Sequence, residues 1–243
     1  MSSIRQLVIP NRLIGLKSGI SCTSYIPVRN IYLHKGSRVA GLKRDPKEAF
    51  TTYNGYQYEL SESNLKPIKE FLTQKYHISD ELILQVLTHK SFGNGIKPYN
   101  EKLSAMGSKI LSLFFTKFVV NKPSNNELAI NGKNLDVLGS PMAKELGGRY
   151  ALGVFAKNHN LNSIMFWKSS SHTVGFLNSG ELKVSAQMMY ALIGAVTLSH
   201  GKLVAEEFIQ EKILNSNDTP LEDIASTVVE SNIERKRKQK ETV

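Results

Sequence analysis

The chain has 243 residues, 41% of them apolar and 21% charged, which is enough for one full-sized domain with a hydrophobic core and excludes disorder over most of its length. A single cysteine, Cys22, excludes a disulfide framework and any multi-cysteine zinc site, and no uninterrupted apolar run approaches the ~20 residues of a membrane-spanning helix. The net charge of +10 is concentrated at the two ends of the chain.

Residues 1–44 carry Arg5, Arg12, Lys17, Arg29, Lys35, Arg38, Lys43 and Arg44, and no Asp or Glu. Hydroxyl side chains and scattered Ile, Leu and Val complete the pattern of a mitochondrial transit peptide, which has to form a cationic amphipathic helix. A basic arm that binds RNA is the alternative. A secretory signal is excluded, because Pro10, Asn11 and Arg12 interrupt the best apolar segment, Leu7 to Ile9.

The body that follows, from Asp45 on, is near neutral and helical in pattern. Leu65, Ile68, Phe71, Leu72 and Tyr76 recur at helical spacing, with a break at His77-Ile78. Ser79 is placed as an N-cap, with Asp80 and Glu81 in the first turn and Leu82, Ile83, Val86 and Leu87 on one face. Ser91 to Asn100 reads as a loop. The strongest signal comes next: Leu103, Met106, Ile110, Leu111, Phe114, Phe115, Phe118 and Val119 predict a buried or half-buried helix that ends before Asn121-Lys122-Pro123. Ser140-Pro141 is an N-cap and first-position proline pair opening a helical stretch with a weak point at Gly147-Gly148. Residues 162–182 read as a loop or a short strand pair. A helix over 183–199 has a small face at Ala186, Ala191, Gly194 and Ala195 that lets another helix approach closely. Leu203, Val204, Phe208, Ile209, Ile213 and Leu214 give a further amphipathic helix, and Leu221 to Ile233 only a weak one. No strand alternation of useful length appears, so the predicted class is all-α.

On these elements sits a resemblance. Thr88-His89-Lys90-Ser91, a loop, and then Asn100-Glu101-Lys102-Leu103-Ser104-Ala105-Met106-Gly107-Ser108-Lys109-Ile110-Leu111 resemble the THxS…NERLEFLGDAVL signature of the RNase III endonuclease domain. Ala186-Gln187-Met188-Met189-Tyr190-Ala191-Leu192-Ile193-Gly194-Ala195, with Gly201 after it, is similar to that family's second motif, ADxxEALIGAIYxDxG. The similarity runs from about Leu65 to Leu214 with the elements in family order. It implies an RNase III-like helical domain over 45–214, between a flexible basic leader at 1–44 and a polar tail at 215–243.

In that family four carboxylates, two at i and i+4 on one helix and two at i and i+3 on another, hold divalent cations that activate water and stabilise charge on the phosphate. Carried over residue by residue, the four positions are Ser104, Ser108, Gln187 and Tyr190, and none ionises to a carboxylate. Neutral oxygens complete a cation's shell without supplying its compensating charge. Glu101 is not one of the four and reads as a first-turn acid favoured by the helix dipole. The resemblance therefore implies a fold kept without its chemistry: no catalytic residue, no metal and no cofactor.

The other candidates are weaker. His89 reads as a structural histidine, and Ser169, Ser170 and Ser171 before His172 as a polar loop rather than a nucleophile elbow. Gly147-Gly148 lacks the Lys-Ser/Thr of a phosphate loop. Arg235, Lys236, Arg237, Lys238 and Lys240 form a dense cationic run suited to RNA backbone. Family members pair through the apolar face of the signature helix, which implies a partner surface at Leu103, Ala105, Met106 and Phe114. Residues 215–243 are too short and polar for a double-stranded RNA-binding domain. A transit-like leader, neutral ligand positions and a basic tail resemble the RNase III-like proteins of the fungal mitochondrial large ribosomal subunit. That resemblance implies ribosomal RNA, other large-subunit proteins and a second RNase III-like protein as partners. An inactive subunit of a mitochondrial RNA-processing endonuclease is the alternative, and an active nuclease with a rearranged metal site a weaker third.

Overall fold

The structure, a computed structural model, describes residues 50–127, 129–169, 174–216 and 220–241. The leader with Cys22, and the Ser170-Ser171-His172 part of the serine loop, lie outside the described residues. The described helices are α1 (Glu62–Leu72), α2 (Asp80–Leu87), α3 (Glu101–Asn121), α4 (Pro141–Leu146), α5 (Arg149–Asn158), α6 (Glu181–His200), α7 (Lys202–Phe208) and α8 (Leu221–Glu241). Among the described residues β pairing is limited to isolated bridges, so the all-α reading holds.

The centre of the body is α6. Its residues are apolar on nearly every side, with Ala186, Met188, Met189, Leu192, Ile193 and Val196 fully enclosed, because α3, α5, α2 and α7 pack around it. The small face expected over 183–199 is used as such. Gly194 on α6 and Gly107 on α3 lie at the crossing of the two helices. A Cβ built on Gly107 would stand 1.9 Å from the Tyr190 carbonyl oxygen, and one on Gly194 would stand 2.2 Å from that of Leu103. Only glycine lets the two backbones come this close. By length and composition alone α3 and α6 are long and apolar enough to cross a membrane, yet α6 is buried over most of its surface and α3 along one face of this core.

The predicted boundaries are largely those observed. Ser140 accepts a hydrogen bond from the Ala143 N–H and Pro141 opens α4, while Gly147-Gly148 separates α4 from α5. Ser79 occupies the N-cap of α2, but its side chain makes no capping hydrogen bond. The described residues between α5 and α6 form a loop rather than a strand pair, pinned where the His89 N–H donates to the Phe166 carbonyl (2.8 Å) and the Phe166 N–H to that of Leu87 (3.0 Å).

The C-terminal part differs from the sequence reading, which ends the domain at Leu214. Residues 221–241 form one helix, and Leu221, Ile224, Ala225 and Val228 enter the same core as the rest of the body. Their spacing of three, four and seven builds a narrow apolar stripe that packs on α4 and α5. The helical body thus runs past the predicted boundary, and only the last turns of α8 project as a basic end.

Candidate functional site

Two pairs of side chains meet in one cleft. Ser104 and Ser108 are one turn apart on α3, Gln187 and Tyr190 one turn apart on α6, and the glycine crossing holds the two helices close enough for all four to line a cavity of about 740 Å³. The positions singled out from the sequence are therefore brought together.

Their polar atoms are largely engaged with the protein itself. The Tyr190 hydroxyl donates to the Gly147 carbonyl at 2.7 Å, across to the break between α4 and α5. Burial, against the opposing pull of Arg149, pushes the phenol above its usual pKa, so it keeps its proton. Ser108 Oγ donates back to the Ala105 carbonyl (2.9 Å). Gln187 Nε2 donates to Asn100 Oδ1 (3.1 Å), and the buried Asn100 amide donates in turn to the Val86 carbonyl (2.9 Å), tying α6 to the start of α3 and the end of α2.

His89 belongs to the same network. Its Nδ1 accepts from the Ser91 N–H at 3.2 Å, which leaves the proton on Nε2 of the neutral ring. Ser91 Oγ lies 2.8 Å from the same Nδ1 and accepts from the Lys168 N–H at 3.0 Å. Burial holds the imidazole below its ordinary pKa, outweighing the opposite effects of Gln187 and Glu101. A structural histidine is what this geometry describes.

Glu101 lines the cleft and pairs with Lys90 at 3.1 Å, both side chains about half exposed. Two hydroxyls, an amide and a protonated phenol do not suit a hard divalent cation, which needs anionic oxygen. The surrounding charge points the same way, since Arg149, Lys168 and Lys183 line the cleft as well. These three cations and Trp167 are not among the site residues expected from the sequence. Lys183 stands four residues before Gln187 on the same helix face and was within reach of spacing arguments, whereas Arg149, Trp167 and Lys168 arrive only through tertiary packing.

The expected partner surface is not a continuous face. Leu103 and Phe114 are 7% and 9% exposed and belong to the chain's own core, together with Leu111. Ala105 is exposed and lines the cleft, and Met106 is half-buried. The reason is helical geometry: positions two apart point some 200° apart on the helix, so Leu103 and Ala105 cannot share a side. Of the cationic run, Arg235, Arg237 and Lys238 are exposed on the last turns of α8, and the side chains of Lys236 and Lys240 lie outside the described residues.

Residues 79–217 match the family described as ribonuclease-III-like. The chain is 28% identical over 148 residues to the large ribosomal subunit protein mL57 of Neurospora crassa, covering 56% of this chain and 55% of that protein. It is 30% identical over 169 residues to ribonuclease 3 of Corynebacterium glutamicum, covering 66% of this chain and 64% of the relative. It thus spans between about half and two thirds of the length of these relatives. Among solved structures, the nuclease domain of ribonuclease III from Campylobacter jejuni aligns with a TM-score of 0.47 at 20% identity, covering 63% of this chain and 99% of that domain.

Proposed function

The chain belongs to the ribonuclease-III-like family, and on that premise we propose that it is a non-catalytic constituent of the mitochondrial large ribosomal subunit. The non-catalytic half rests on the cleft: Ser104, Ser108, Gln187 and Tyr190, which the sequence resemblance matches to the family's four metal-binding carboxylates, line it without supplying a carboxylate. Likeness to a large ribosomal subunit protein supports the ribosomal half. The acid-free, arginine-rich segment 1–44 supplies the mitochondrial address.

In this role the body serves as a rigid block against ribosomal RNA and neighbouring proteins. Arg235, Lys236, Arg237, Lys238 and Lys240 contact phosphates at the end of α8, positioning the block without reading sequence. Sedimentation tests the assignment. The tagged full-length chain, expressed in its own cells, is expected to migrate with the mitochondrial large subunit in stoichiometric amount and to stay there at high salt. Migration as a small free complex, or recovery from the cytosol, would contradict it.

A further inference from the structure

The cleft between α3 and α6 is unbalanced in charge. Its carboxylate, Glu101, is already matched by Lys90. Three cations line the same cavity: Arg149 at the start of α5, Lys168 on the loop pinned beside His89, and Lys183 in the first turn of α6. Among the described residues none of the three side chains enters an ion pair or a hydrogen bond. Glu145, four residues before Arg149 and across the Gly147-Gly148 break, lines a different groove with Pro141 and Ile233, although its charge is felt at Tyr190. A site that faces three unmatched positive charges attracts an anion.

The second feature is aromatic. Trp167, the chain's one tryptophan, lines the cleft half-buried, next in sequence to Lys168. Cations beside an indole suit a nucleotide: guanidinium and ammonium groups bind phosphate oxygens, and the ring offers a face to a base. An acidic peptide would satisfy the cations but bring no planar group for the indole. The base has to be unstacked to reach the ring, as in a loop, a bulge or a single strand. We propose that the cleft holds one unstacked nucleotide of RNA, its phosphate among Arg149, Lys168 and Lys183 and its base against Trp167. The inference rests on the ribosomal RNA reading above and gives that reading a second point of contact, apart from the cationic end of α8.

The chain has one tryptophan, so its emission reports on Trp167, which borders the cleft and also a neighbouring cavity with Tyr53 and Asn162. Loss of the emission change in the triple cleft variant assigns it to the cleft. Titrating the full chain with a short single-stranded oligoribonucleotide is expected to change Trp167 emission in step with binding followed by anisotropy of the labelled RNA. The triple variant R149Q/K168Q/K183Q, whose three substituted side chains are all exposed, is expected to melt like the parent. It should bind at least about tenfold more weakly, with a salt slope lowered by roughly 2. Trp167→Ala should weaken binding, and Trp167→Phe should restore most of it. Unchanged emission together with unchanged affinity of the triple variant, while replacing the five cations of α8 by alanine abolishes binding, would overturn the cleft site and leave the ribosomal RNA reading standing. No RNA binding by any version would overturn both. Tighter capture of an oligoglutamate peptide than of RNA would overturn the nucleotide assignment in favour of a protein occupant.

Discussion

The hydrogen bonds of Tyr190, Gln187 and His89 make the cleft part of the scaffold. Tyr190 reaches the Gly147 carbonyl, and Gln187 bridges Asn100 and the His89 ring. The half-buried imidazole is held neutral, chiefly by desolvation, with Lys90 disfavouring the cation and Glu101 favouring it. Its folded pKa lies below that of the unfolded chain, near 6.5. As pH falls through about 6.5 the unfolded state takes up a proton that the folded state refuses, so stability drops until the folded pKa is passed. Melting temperature is therefore expected to fall between pH 7.5 and 5.5 more steeply in the parent than in His89→Gln; equal slopes would show that His89 does not contribute. The family resemblance picked out Ser104, Ser108, Gln187 and Tyr190, and their i+4 and i+3 spacing puts each pair on one helix face. It did not reveal Arg149 or Lys168, because no local rule relates the start of α5 or a loop to the signature helix.

The crossing of α3 and α6 decides the width of the cleft. Gly107 sits against the carbonyl of Tyr190 and the amide nitrogen of Gly194, with backbone rather than a yielding side chain in the way of any added atom. Gly107→Ala should force the helices apart and cost about 1–3 kcal/mol, read as a lower denaturant midpoint at unchanged slope. A variant as stable as the parent would mean that the helices do not approach as closely as described. The small face of α6 was legible because Ala191, Gly194 and Ala195 recur on one side. The helix α8 was under-read for the opposite reason. Its stripe of Leu221, Ile224, Ala225 and Val228 is one residue wide amid Glu222, Asp223, Ser226 and Thr227, so average polarity hides it. The partner surface implied by the family resemblance includes Leu103 and Phe114, which this chain turns into its own core, because an apolar helix face does not tell which body covers it.

At the scale of the molecule, a near-neutral helical body carries its surplus charge at both chain ends, and the net +10 suits a protein that lies against a polyanion. The family frame is kept in α3 and α6, while the side chains facing each other across it are neutral and ringed by cations. Phosphodiester cleavage by two metal ions needs anionic ligands that hold the cations about 4 Å apart, clamping the attacking and leaving oxygens. Tyr190 also occupies space on the wall of the cleft, so restoring single acids at these positions is not expected to recover activity. The direct measurement is incubation of the purified full-length chain, in excess, with long double-stranded RNA in Mg²⁺ or Mn²⁺. Intact RNA is expected after prolonged incubation, whereas reproducible cleavage that a chelator abolishes and a mock purification lacks would contradict the non-catalytic assignment.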